Sequence, residues 1–265
     1  MNGDAMPTTP QHGVAVQYDP ELKKRHLLEA ARRLPGPDYY EVLRWVHQIL
    51  KPKTYVEIGI RDGASLACAL PDTRCAGVDP APTISPPTPV NVRVYATTSD
   101  DFFAGHSPQD AFGTVRFDFA FIDGLHLFEQ ALLDFIHLER WAGPRSIIAI
   151  HDCLPLDGVT SERTRTTHFY TGDVWKAVAC LKKHRPDLML RTIRTAPAGL
   201  CLISGLNSRS EVLPDRFEEI VREYRNLGFG DYMAHPEWMP RETCNTHDAV
   251  EECLRELLQD CPLQN

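Results

Sequence analysis

Five short apolar runs constrain the fold more than any other feature of this chain: TYVEIGI (54–60), CAGVD (75–79), VRVYAT (92–97), FDFAFID (117–123) and SIIAIHD (146–152). They are rich in β-branched and aromatic residues, as strands buried in a parallel sheet are. Helical stretches lie between them. The clearest is LHLFEQALLDFIHLERW (125–141), where Leu125, Phe128, Leu132, Phe135, Ile136 and Leu138 recur near helical spacing. Strand and helix in alternation mean an α/β sheet with crossover connections. GDVWKAVACLKKH (172–184) reads as a further helix, with Trp175 and Val178 on its buried face. LMLRTIRT (188–195) and GLCLISG (199–205) then follow closely, which suits an antiparallel hairpin ending the sheet.

The flanks differ in texture. Residues 1–18 are polar and aperiodic, and a mobile arm is expected there. Helices are expected over 20–34 and 38–50, the second with Tyr40, Leu43, Val46, Ile49 and Leu50 on one stripe. Two more, near 211–227 and 247–260, flank a stretch rich in Pro and aromatics. The division expected is N-terminal helices 19–50, an α/β domain 51–206 and a C-terminal helical extension 207–265. A chain of 265 residues buries enough surface to need no disulfide or metal to fold. Its 36 acidic residues against 28 basic ones argue against a broad nucleic-acid footprint. No apolar run approaches the roughly 18 residues of a membrane span. The N-terminus lacks the basic-then-apolar pattern of a secretory signal. A cytoplasmic protein with reduced thiols is expected. The eight cysteines contain no C-x-x-C, and Cys244 and His247 form a C-x-x-H without a second ligand pair, so zinc is not expected there.

The first run leads into E-I-G-I-R-D-G, with Glu57, Gly59 and Gly63. Glycines in a strand-to-helix turn let a ligand approach the backbone closely. In open α/β sheets ligands bind at the carboxyl ends of the strands. Asp79 ends the second run, where an acid can accept hydrogen bonds from both ribose hydroxyls of a nucleoside. A dinucleotide fingerprint, G-x-G-x-x-G, would have glycine where Glu57 stands. Glu57 would repel a pyrophosphate and suits a cofactor with a cationic amino-acid end. The turn resembles motif I, E/D-x-G-x-x-x-G, of the class I S-adenosylmethionine (SAM)-dependent methyltransferases. That resemblance implies a Rossmann-like, seven-stranded, mostly parallel sheet with helices on both faces and the last strand antiparallel. It also implies that the residues after the third run face adenine. Ser99 or Asp100 could bond the exocyclic amine, or one of Ser99, Asp100 and Asp101 caps the next helix.

The fourth run ends in F-I-D-G-L-H, with Asp123 and His126, and the fifth in A-I-H-D-C, with His151 and Asp152. Adjacent strands lie about 4.8 Å apart. If these two are neighbours, Asp123 and Asp152 converge just beyond the sheet. Two carboxylates that close repel unless a cation or proton lies between them. His126, with an ordinary pKa of about 6.5, can take a proton at neutral pH. The alternative is structural: Asp123 caps the 125–141 helix and His151 is packed.

The block FDFAFIDGLHLFEQALLD, with IIAIHDC and TGDVWKAV, resembles one methyltransferase branch over roughly residues 50–205. The branch includes bacterial O-methyltransferases of macrolide sugars, with catechol O-methyltransferase more distant. The resemblance implies that Asp123 and Asp152 bind a divalent metal, usually magnesium, and that His126 is the general base. In those enzymes an acid precedes or occupies the slot of His151. Imidazole suits manganese, iron or zinc better than magnesium. The expected metal set is therefore Asp123, His151 and Asp152, with a metal-free Asp–His pair as the other version. The long loop 153–171 should border the acceptor. His168 and Tyr170 are candidates to line the pocket; Arg163 and Arg165 either meet an acidic acceptor or are solvated. The sequence thus points to SAM-dependent methylation of a small-molecule hydroxyl, on a sugar or natural product. Glu57, Gly59, Gly63, Asp79, Ser99, Asp100 and Asp123 face the cofactor; His126, His151 and Asp152 serve the chemistry. The rival readings are a SAM-binding protein that does not methylate and a nicotinamide-dependent oxidoreductase. Neither nucleic acid nor membrane is expected as a partner, and a homo-oligomer is left open.

Overall fold

Asp19 opens the first helix, α1 (Pro20–Arg33), by accepting the Leu22 N–H at 2.9 Å. The computed structural model describes residues 19–85 and 91–259; the expected N-terminal arm lies outside them. Asp38 caps α2 (Tyr39–Leu50) in the same way, accepting the Glu41 N–H at 3.0 Å. Then follow β1 (Thr54–Ile58), β2 (Arg74–Val78), β3 (Val92–Tyr95), α3 (Ser99–Gly105), α4 (Pro108–Phe112), β4 (Phe117–Ile122), α5 (Phe128–Trp141) and β5 (Ala142–His151). The chain continues through α6 (Trp175–His184), β6 (Met189–Ile193), β7 (Leu200–Ser204), α7 (Val212–Tyr224), α8 (Phe229–Ala234), β8 (Arg241–Thr243) and α9 (His247–Gln259).

The sheet order is β3-β2-β1-β4-β5-β7-β6-β8. The first five strands of that order are parallel, and β7 runs antiparallel to both β5 and β6. The expected hairpin is therefore present. The expected count of seven is corrected to eight: β8 pairs parallel with β6, inside the stretch read as irregular between two helices. Three residues show too little alternation to announce a strand. Its ion pair from Arg194 to Glu242, at 2.5 Å, joins segments far apart in the chain.

Alternate strand residues feed two cores. Val56, Ile58, Ala120, Ile122, Ile148 and Ile150 pack with Phe128, Leu132, Phe135, Trp175 and Val178 on one face. Tyr55, Phe119, Phe121, Ile147 and Leu202 pack on the other, against Leu43 and Val46 of α2 and Val250, Leu254 and Leu257 of α9. The two chain ends thus cover one face together. Trp175 and Val178 are buried, as their helical spacing implied.

The turn after β1 departs from expectation. No α-helix follows it, only a single 3-10 turn, Leu66–Cys68. Gly59 (φ +89°) and Gly63 (φ +81°) both need the left-handed region. At Gly59 a Cβ would lie 2.2 Å from the Asp123 carbonyl oxygen, so only glycine fits. Glu57 points into the α2/α9 side and is fully buried. It accepts hydrogen bonds from Tyr55 Oη, at 2.8 Å, and from Ser65 Oγ. Burial pushes its carboxyl up to about 8, against the lowering effect of those two bonds.

Folded Glu57 keeps a proton that the unfolded chain releases near its ordinary 4.5. Its contribution to stability is complete below pH 4.5 and is lost as pH rises through about 8. Inside that window the wild type should lose up to about 1.4 kcal/mol per pH unit relative to Glu57→Gln. Denaturant unfolding of both ligand-free proteins from pH 5 to 8 checks this; parallel curves would contradict it.

Candidate active site

The sheet register builds the site. Ile122 is the partner of Ile58 on one side and of Ile150 on the other. The next residue of each strand, Gly59, Asp123 and His151, therefore emerges in one row at the carboxyl edge. Asp123 N–H donates to the Ile58 carbonyl at 2.8 Å, and Gly59 N–H to that of Val78 at 2.8 Å. The expected adjacency of the fourth and fifth strands is present.

All four expected chemical residues meet there. His126 Nδ1 lies 2.7 Å from Asp152 Oδ2, and His126 Nε2 lies 3.8 Å from Asp123 Oδ1. His151 Nδ1 is 3.2 Å from Asp123 Oδ1 and 3.4 Å from Asp152 Oδ1. Asp152 adopts φ +57°, which costs roughly 1–2 kcal/mol in an L residue. That bend carries the end of β5 toward His126. Burial pulls both imidazoles down, but the carboxylates outweigh it: His151 is pushed up to about 9, and His126 is also raised. Burial raises the Asp123 carboxyl, and the charge of His151 more than reverses this, leaving it below the ordinary range. A small pocket opens at this cluster, lined by Asp123, His126, His151 and Asp152 with Ile122 and Val174.

One trio of side chains is close enough to share a ligand. Among the described residues, the ligand atoms of Asp123, His126 and Asp152 all fall within 4.8 Å of one another. His151, expected in such a set, is not one of the three. The His151 ring is stacked on Tyr39, with centroids 4.1 Å apart, and its Nδ1 is engaged by Asp123. His126 Nδ1, though close to Asp152, has no aligned hydrogen bond. Two carboxylates and one such nitrogen fit a divalent ion of the manganese, iron or zinc kind.

On the cofactor side, Asp79 accepts the N–H groups of Arg61 and Ala81, each at 2.8 Å, and keeps lone pairs free for further donors. Thr98, not Ser99, Asp100 or Asp101, caps α3. Ser99 and Asp100 accept instead from Gln130, at 3.2 and 3.0 Å. Asp123 does not cap α5; the Phe128 N–H goes to Asp173 Oδ1 at 2.8 Å. Tyr170 stacks beside His126 with centroids 5.7 Å apart, while His168 is half-buried in the loop and neither lines the cavity. Arg163 is partly exposed and tied back to the protein. It pairs with Glu129 at 2.5 Å and Asp173 at 2.7 Å. Arg165 lies over the Tyr170 ring, 5.5 Å from its centroid.

Tyr39 is the site residue that the sequence reading missed. The α2 N-terminus docks through Tyr39 N–H to the Ala196 carbonyl, at 2.8 Å, and this lays the ring on His151. The one signal was local: an aromatic pair directly after a capping Asp.

Residues 56–153 match a protein family described as Methyltransferase domain. No curated protein sequence matches the chain. Among solved structures, cofactor-bound Rv0187 from MTB is 17% identical, covers 71% of this chain and 91% of its own, and superposes with a TM-score of 0.52. An O-methyltransferase from Bacillus cereus in complex with SAH is 15% identical over 72% and 92% (TM-score 0.48). TomG from Streptomyces achromogenes, an O-methyltransferase of tomaymycin synthesis in complex with SAM, is 17% identical over 71% and 91% (TM-score 0.48). The match to a methyltransferase domain thus spans the Gly59 turn and the two strand ends that carry the site, and the fold is shared with cofactor-bound Rv0187.

Proposed function

We propose that the chain methylates a hydroxyl oxygen of a small molecule, with residues 51–206 as the methyltransferase domain. The observation that carries this reading is the cluster of two carboxylates and two imidazoles at the carboxyl edge, abreast of the Gly59 turn. SAM supplies an electrophilic methyl group when bound. Gly59 and Gly63 keep the turn free of side chains, and Asp79 offers its remaining lone pairs to ribose hydroxyls. Ser99 and Asp100 stand on the adenine side, and buried Glu57 braces the turn from beneath. Asp152 beside Nδ1 of His126 favours the tautomer protonated there, leaving Nε2 to take the acceptor's proton. The imidazolium so formed stays beside Asp123 and Asp152, which stabilise its charge. His151, held by Asp123 and stacked on Tyr39, keeps the Asp123 carboxylate ionised.

The Asp123, His126 and Asp152 trio favours a second version. A divalent ion there would lower the pKa of a bound hydroxyl and fix its direction. Asp123, His126 and Asp152 would hold that ion, and His126 would then be a ligand and not the base.

Calorimetry tests the cofactor assignment. SAM should bind and NAD should not, and Asp79→Ala should weaken SAM by roughly 1.5–3 kcal/mol. NAD binding without SAM binding would overturn the reading, and S-adenosylhomocysteine formed with a panel of hydroxylated acceptors would support it. For the metal version, Mn²⁺ titrated into chelator-treated protein should bind. His126→Ala should lose that affinity at least tenfold, and His151→Ala should retain it. The reverse ranking would restore His151 to the ligand set.

A further inference from the structure

We infer that Asp173 and Gly172 are positioning residues for His126, acting through the backbone that carries it. The inference rests on His126 being a chemical group of the site. His126 sits in a short turn between β4 and α5. Its β4 end is fixed by the sheet. Its α5 end has no side-chain cap of its own, because Leu127 occupies that position. The first helical N–H, that of Phe128, would be an orphan donor. Asp173 Oδ1 accepts it at 2.8 Å from a segment 45 residues away. Asp173 is itself held: Oδ2 accepts from Arg163 Nη1 at 2.7 Å and from Lys176 Nζ at 2.8 Å. Asp173 and Lys176 are almost wholly buried. Arg163 closes the loop back on α5 through Glu129.

Gly172 completes the clamp. Its φ of +56° places the backbone so near that a Cβ would lie 1.8 Å from the His126 carbonyl oxygen. The N–H groups of Thr171 and Gly172 are tied to the Thr160 carbonyl at 2.9 and 3.2 Å. On the ring side Tyr170 stacks on the imidazole, and its hydroxyl donates to the Arg163 carbonyl at 2.9 Å. One stretch, 170–173, thus meets the His126 ring and carbonyl and binds the Phe128 N–H two residues on. Neither Gly172 nor Asp173 lines the cavity. Their role is to set where the His126 nitrogens stand relative to Asp152.

The test reads the imidazole itself, so it stands apart from whether His126 is the base. Removing Asp173 alone would leave the buried Lys176 ammonium without its carboxylate, bonded only to the Arg225 carbonyl at 3.0 Å. The variant is therefore Asp173→Ala with Lys176→Met, and the rescue is Asp173→Asn with Lys176→Met, which restores an acceptor oxygen to Phe128. Long-range ¹H–¹⁵N spectra of chelator-treated protein report the His126 ring nitrogens, assigned by their loss in His126→Asn. His47, buried between Tyr55 and Phe119, is the internal control. The expected result is two separated His126 nitrogen resonances in the wild type and averaged ones in the alanine variant. The asparagine variant should return them, with His47 constant throughout. Unchanged His126 resonances in the alanine variant, or failure of asparagine to restore them, would overturn the inference. Should the double variants not fold, Arg163→Gln removes only the partly exposed end of the clamp. It should shift the His126 resonances toward averaging; no shift would count against the proposal.

Discussion

The pairing of Ile122 with both Ile58 and Ile150 is the constraint on which the site depends. It sets Gly59, Asp123 and His151 abreast. A one-residue slip would turn every side chain in the row to the other face. The register is held by buried apolar side chains on both faces, and by the backbone bonds from Asp123 and Gly59 to neighbouring strands. Gly59 is part of the same constraint: any side chain there would strike the Asp123 carbonyl and part β1 from β4.

Once that row exists, electrostatics decide its chemical state. His151 holds the Asp123 carboxyl below its ordinary range, the carboxylates raise both imidazoles, and burial makes these neighbours matter more. The cluster is held from three directions. Asp152 comes from the bent end of β5, His126 from the turn gripped by the 170–173 stretch, and Tyr39 from the N-terminal helical layer. Lys176, Asp173, Arg163 and Glu129 form a second charged network behind it. Breaking such a network by removing one member typically costs about 3–5 kcal/mol. The loop after β5 is therefore a fixed wall on its His126 side.

The parallel strands and the meeting of Asp123, His126, His151 and Asp152 were legible in the sequence. Apolar runs ending in acids and histidines carry both the fold and the carboxyl edge in one local pattern. What was hidden depends on partners distant in the chain. Arg163 reads as a solvated loop residue until α5 brings Glu129 beside it. Tyr39 reads as a core aromatic until Ala196 sets the entry of α2. The stacking of His151 on Tyr39 is a tertiary contact that no spacing encodes. The absent helix after the Gly59 turn and the added strand β8 are short elements decided by tertiary pairing.

On the proposed function, cofactor grip and methyl-transfer chemistry reside in separable groups of one row. SAM affinity by calorimetry, read beside single-turnover methyl transfer in His126→Ala, tests it most directly. The account predicts unchanged SAM affinity with turnover reduced about 10²–10⁴-fold, the usual loss for a general base. Wild-type turnover in that variant across pH 6–9, or a loss of SAM affinity that matches the loss of rate, would contradict it.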